Sequence, residues 1–98
     1  MALYWTREAI ADRDAIYDYI EADNPAAALV LDELFAEKAG RLLDHPELGR
    51  SGRIAGTREL VAHRNYILVY DLTGDLTGDL VRVLRVLHVA RQWPPVRD

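Results

Sequence analysis

The sequence predicts a single α+β domain over residues 1–98, with an N-terminal strand and an antiparallel two-helix hairpin packed on a small twisted antiparallel β-sheet, in the order β-α-α-β-β-β. Two observations carry this. Apolar residues recur at helical spacing in the first half and give way to Val-, Leu- and Tyr-rich runs punctuated by Gly in the second. Charge changes at the same boundary: residues 1–48 hold 4 Lys/Arg against 11 Asp/Glu, and residues 49–98 hold 8 Arg against 5 Asp/Glu. The overall charge of −4 therefore hides an acidic helical half at −7 and a basic strand half at +3. A basic sheet face is a docking surface for something acidic.

A chain of 98 residues that is 50% apolar and 29% charged supports one modest core and is not a disordered tail. Zero Cys excludes a disulfide framework and any thiolate metal site, so a reducing cytoplasm is the expected location. The opening MALYWTREAIADRD meets charge within seven residues, so neither a signal-peptide apolar region nor a membrane span is expected.

Ala2 to Trp5 is short and aromatic and reads as a strand; Thr6 then offers an N-cap with Glu8 in the first turn. The first helix is expected from about Arg7 to Ala22. Its apolar side holds Ala9, Ile10, Ile16, Tyr17 and Ile20, with Asp12, Asp14, Asp18 and Glu21 on the remainder. Asn24 followed by Pro25 is an N-cap with proline at the first helical position, which restarts the chain as a second helix. Its stripe runs through Ala27, Ala28, Leu31, Leu34, Phe35, Ala39 and Leu42 to Leu43. So short a link makes the helices antiparallel, with Tyr17 and Phe35 expected in the core and given no chemistry.

His45, Pro46, Gly49, Gly52 and Gly56 mark an exposed loop, followed by strands at Thr57–Ala62, Tyr66–Leu72 and Leu80–Leu87. The last is apolar on both faces except for Arg82 and Arg85, which places it inside the sheet. Between the last two strands, DLTGDLTGDL (71–80) repeats DLTG in tandem and reads as a lengthened hairpin tip. Asp71, Asp75 and Asp79 lack the ligand spacing of an EF-hand, so no metal or cofactor is expected.

Two dense segments could carry chemistry: GRSGRIAGTRELV (49–61) and VRVLRVLHVARQWP (81–94), with His63 and Arg64 between them. Antiparallel pairing would bring Arg58, His63 or Arg64, Arg85, His88 and Arg91 toward one surface. Imidazoles amid guanidinium groups suit general acid/base work on a phosphodiester. The same arginines suit bidentate grip on a partner's carboxylates with no bond broken. His88, at the end of an interior strand, is better placed than His63, which reads as an exposed strand or turn residue. Trp93-Pro94-Pro95 reads as a C-terminal apolar plug, with stacking on a base or anchoring of a partner as the alternative.

The opening WTREAIADRDAIYDYIEADNPAAA, the middle GRSGRIAGTRELV, then YILVY and VRVLRVLHVARQWP, taken in this order, resemble the RelE/ParE superfamily of bacterial type II toxins over nearly the full chain. The resemblance implies a growth-inhibiting toxin of the plasmid-stabilisation kind. It also implies a hetero-oligomer with a cognate antitoxin, an acidic or amphipathic protein whose C-terminal segment wraps and neutralises it. RelE-like members cut messenger RNA on the ribosome and usually mix Lys, Arg, His or Glu with a Tyr near the C-terminus. This chain has a single Lys, Lys38, in the second helix, and no Tyr after Tyr70. ParE-like members poison DNA gyrase without an acid/base constellation, and their long hairpin with an NP link resembles residues 7–44. The pI near 5.3 also disfavours entry into an RNA-dense machine, so the ParE-like branch is favoured. On that reading Arg58, Arg64, Arg85 and Arg91 grip an acidic gyrase surface and Trp93 adds apolar contact. On the nuclease reading His88 is the acid or base, Arg85 and Arg91 bind the scissile phosphate, His63 assists, and attack by the 2′-hydroxyl needs no metal. A third reading is an inactive toxin fold that serves as a binding module.

Overall fold

A computed structural model describes residues 1–75 and 78–95. Its elements are β1 (Ala2–Trp5), α1 (Arg7–Glu21), α2 (Pro25–Arg41), β2 (Arg50–Ser51), β3 (Arg58–His63), β4 (Tyr66–Asp75) and β5 (Gly78–His88). The strands form one sheet in the order β1-β5-β4-β3-β2, with both helices packed on it, so the α+β class is the one expected. Strand β5 lies inside the sheet, as its apolar faces demand. One strand departs from expectation. β1 runs parallel to β5, from Ala2↔Leu80 to Trp5↔Val83, which makes the sheet mixed. Parallel neighbours need a long crossover, and the helical hairpin is part of that crossover.

Both helices begin as their capping residues dictate. Thr6 Oγ1 accepts the Ala9 N–H at 3.1 Å and donates to the Leu84 carbonyl at 2.9 Å, so one side chain caps α1 and ties it to β5. Asn24 Oδ1 accepts the Ala27 N–H at 3.1 Å, and Pro25 occupies the first turn of α2. Arg13 clamps the hairpin shut: its fork meets Asp32 at 2.9 Å twice, and its guanidinium lies 4.5 Å from the Trp5 ring centre.

The core lies between Ala9, Leu31, Phe35, Ala39 and Leu42 of the helical layer and Leu60, Ala62, Leu68, Tyr70, Val81, Val83 and Val86 of the sheet. Ile10 and Tyr17, expected inside, are not in it. They stand one residue round from the inward Ala9 and Ile16, about 100° away on the helix, and Ile10 faces solvent. The opposite sheet face has its own small cluster of Ile67, Val69 and Leu87, against which Leu84 and Trp93 pack.

The loop after α2 is pinned to the sheet. Tyr70 Oη donates to the Pro46 carbonyl and accepts the Gly49 N–H, both at 2.8 Å. A Cβ on Gly49 would sit 2.7 Å from the Tyr70 ring and 2.9 Å from the Glu59 carbonyl, which is why glycine stands there. The two residues of β2, unforeseen because so short a strand has no periodicity, pair with β3 as Arg50↔Glu59 and Ser51↔Arg58. Buried Glu59 then accepts from Arg53 N at 3.0 Å, Arg53 Nη2 at 3.1 Å and Arg50 Nη2 at 3.4 Å.

Much of the DLTG tract is strand. The ladder continues through Leu72↔Val81, Thr73↔Leu80, Gly74↔Asp79 and Asp75↔Gly78. Leu and Thr extend a pairing already started, so the expected long tip is mostly arm. Residues 76–77 and the Asp75 side chain lie outside the described set. Asp71 is taken by Arg82, which donates from Nε at 2.9 Å. Among the described residues no three His, Cys, Asp or Glu side chains gather to hold a metal ion, and no helix is long and apolar enough to cross a membrane.

Candidate binding cleft

One end of the sheet collects the β3–β4 turn and the exit of β5. Tyr66 begins β4 opposite both His63 and His88, and the Val89 N–H reaches the Asn65 carbonyl at 2.8 Å. Each imidazole closes its own turn: His63 Nδ1 accepts the Asn65 N–H at 3.2 Å, and His88 Nδ1 accepts the Ala90 N–H at 3.0 Å. With Nδ1 accepting, a neutral ring carries its proton on Nε2. The Tyr66 ring stands 6.2 Å from His63, 5.2 Å from His88 and, edge-on, 5.6 Å from Phe35. Burial pushes the Tyr66 hydroxyl pKa up, with a further push from Tyr19.

Tyr66 is shared by two clefts between helices and sheet, which together form a trough on either side of its ring. On one side a cleft of about 450 Å³ is lined by Asp12, Ile16, Tyr19, Tyr66, His88 and Arg91. On the other, about 360 Å³ is lined by Ile20, Val30, Leu31, Leu34, His63 and Tyr66. Tyr19 is 81% exposed and Val30 65% exposed, so large apolar area faces water beside Arg91 and the imidazoles. Apolar surface edged by a cation is of the kind that amphipathic protein segments use.

The expected single arginine surface does not form. His63, His88 and Arg91 line the trough, and Arg64 projects from the adjoining β3–β4 turn, exposed. Arg58 sits at the far end of β3, opposite Tyr70, and donates to the Gly49 carbonyl at 2.7 Å. A guanidinium within reach of loop carbonyls is held as a brace rather than left as a probe. Arg85 is held by Asp12, from Nε at 2.7 Å and Nη2 at 3.0 Å. An interior strand cannot hold a cation without a counter-charge, and α1 supplies it. That hydrogen-bonded carboxylate raises the Arg85 pKa. Trp93 stacks beneath Arg85 at 5.3 Å and covers the sheet face away from the helices, so it is the expected plug.

Sequence reasoning missed Asp12, Tyr19 and Tyr66. Asp12 carried a usable signal: three residues after Ala9 and four before Ile16, it is an acidic side chain on the inward stripe. Tyr66 carried none, because a tyrosine opening a strand is ordinary core.

The comparisons with known proteins agree with one another. A family model described as the ParE toxin of type II toxin–antitoxin systems, parDE, matches residues 3–93. Y4kP of Sinorhizobium fredii (strain NBRC 101917 / NGR234), described as a toxin, is 40% identical over 93 residues, 94% of this chain and 92% of the relative. Toxin RelE2 of Caulobacter vibrioides (strain ATCC 19089 / CIP 103742 / CB 15) is 37% identical over 87 residues, 89% of this chain and 93% of the relative. Among solved structures, a chain of the chromosomal ParDE system from P. aeruginosa superposes with a TM-score of 0.79 at 30% identity, over 91% of this chain and 96% of that one. With the same fold, the same span and relatives at this identity, the chain belongs to the ParE toxin family within the RelE/ParE superfamily, as the toxin of a type II toxin–antitoxin system.

Proposed function

We propose that this toxin arrests bacterial growth by binding DNA gyrase without breaking a bond, and that its antitoxin neutralises it by laying an amphipathic segment along the trough on both sides of Tyr66. The observation that carries the first part is the Asp12–Arg85 pair at 2.7 Å. Phosphodiester cleavage needs cations aimed at the developing charge, yet Arg85 is neutralised within the fold. Among the described residues, His88 keeps only Arg91 as a cationic neighbour in its cleft. Binding makes smaller demands: exposed Arg64 and Arg91 beside large apolar rings grip an acidic protein surface. Arg58 and Arg85 act as internal braces in this reading, and Trp93 acts on the partner only through the segment it anchors.

Purified toxin is expected to block gyrase supercoiling while leaving ribosome-bound message intact, and Arg64→Ala with Arg91→Ala to weaken the block. Cleaved message with unaffected supercoiling would sink the proposal. The second reading, ribosome-dependent cleavage of messenger RNA, is favoured by one observation, the two imidazoles facing one tyrosine ring beside Arg91. On that reading His88→Ala alone abolishes growth arrest. On the gyrase reading it matters less than Arg91→Ala. An inert module would be recognised by expression that leaves growth unchanged.

A further inference from the structure

Asp12 serves more than the cleft wall. One carboxylate oxygen accepts both Arg85 Nε–H at 2.7 Å and the Val86 backbone N–H at 2.9 Å, while the other accepts Arg85 Nη2–H at 3.0 Å. It stands where β1 has ended, at Trp5↔Val83, and so covers the stretch of β5 edge left open beyond it. Both side chains are mostly enclosed, Asp12 at 13% and Arg85 at 21% exposure. The other side of the Arg85 guanidinium faces the Trp93 ring.

The chain between them reverses tightly. The Ala90 N–H turns back to His88 Nδ1, and the Arg91 N–H turns back to the His88 carbonyl at 2.9 Å. Arg91 thereby lines the cleft on the helical side, while Trp93, two residues later, packs on Ile67, Val69 and Leu87 on the opposite side. The segment is a hook over the end of the sheet, and Trp93 is its barb. That barb has a weakness: the Trp93 Nε1–H is buried with no acceptor among the described residues. An unanswered donor works against burial, so three apolar neighbours need help, and a cation over the ring supplies it.

We propose that Asp12 is a positioning residue for the C-terminal segment: by fixing the Arg85 fork it sets the cation on which Trp93 stacks, and through that anchor it holds Arg91 in the cleft. The proposal rests on the functional reading only for what Arg91 then touches. The placement stands or falls by itself.

The test uses full-length toxin with Trp5→Phe, so that Trp93 is the sole indole. In that background Asp12→Asn and, separately, Arg85→Lys are expected to shift Trp93 emission to the red and raise its quenching by acrylamide. Amide protection at Arg91 should fall about tenfold, as for loss of one charge-assisted contact, while protection at Val83 and Phe35 stays. Arg85→Lys keeps the charge but not the fork, so a merely electrostatic role would leave Trp93 unchanged in that variant. Trp93 shielded in both variants would overturn the proposal, because the apolar cluster then suffices. Loss of far-UV circular dichroism in both would also overturn it, by making the pair a determinant of the whole fold. If the fluorescence changes appear while gyrase proves not to be the target, the positioning role survives and only the functional reading fails.

Discussion

Glu59 shows how one buried carboxylate organises a loop whose own residues could not. Burial pushes its pKa up, but hydrogen bonds from Arg53, the charge of Arg53 and a contact from Arg50 outweigh that and hold it below the ordinary value. A carboxylate depressed by folding stabilises above its unfolded pKa, about 4.3, and that stabilisation is lost as pH falls through the folded value. Glu59→Gln is therefore expected to destabilise the protein by about 1–3 kcal/mol near neutrality. Denaturant unfolding of both proteins at about pH 7 and about pH 3 should show the gap closing in acid. A gap that persists unchanged would mean that shape, not charge, holds the loop. Gly49→Ala tests the same loop from its other end. Its methyl group would collide with Tyr70, at a cost of about 1–3 kcal/mol read from the same unfolding curves.

Thr6 joins two elements, since its hydroxyl both caps α1 and bonds the Leu84 carbonyl. Thr6→Ala should cost about 1–2 kcal/mol, lowering the melting temperature by about 4–8 °C for each kcal/mol in a domain of this size. Serine at this position should recover most of the loss. The bounds of both helices could be read almost to the residue, because Thr6, Asn24 and Pro25 announce their starts, while the apolar spacing gave their faces except at positions such as Ile10 and Tyr17. The sheet was harder. The direction of β1 depends on where the chain returns, which no local pattern encodes, and β2 is a two-residue pairing at which Glu59 also holds Arg50 and Arg53. The DLTG tract was read as turn from its Gly and Asp, whereas its Leu and Thr extend the ladder. Removing one DLTG copy shortens the arm by four residues, an even number that keeps every side chain on its own face. Such a deletion should leave the melting temperature nearly unchanged.

Charge sorting is visible in the whole molecule, but not as the sequence implied. Part of the basic half is balanced from within: Arg50 and Arg53 by Glu59, and Arg82 by Asp71. The acidic half lends Asp12 to Arg85 across the boundary. Counting residues found the asymmetry and missed the cancellation, because pairing depends on which faces meet. Among the described residues, the arginines left exposed beside the trough are Arg64 and Arg91. Association with an acidic target should slow as salt rises through about 0.1 M, where screening reaches about 10 Å. That dependence should flatten in Arg64→Ala/Arg91→Ala, as rapid-mixing kinetics would show. The parallel seat of β1 has a different consequence. Its partner contacts span 78 residues, from Ala2 to Leu80, so β1 waits for β5. Until β5 emerges, β1 has no seat and α1 lacks the strand that Thr6 and Asp12 bond. A chain made only as far as β4 therefore lacks this seat, and closure of the fold waits on its longest-range strand pairing.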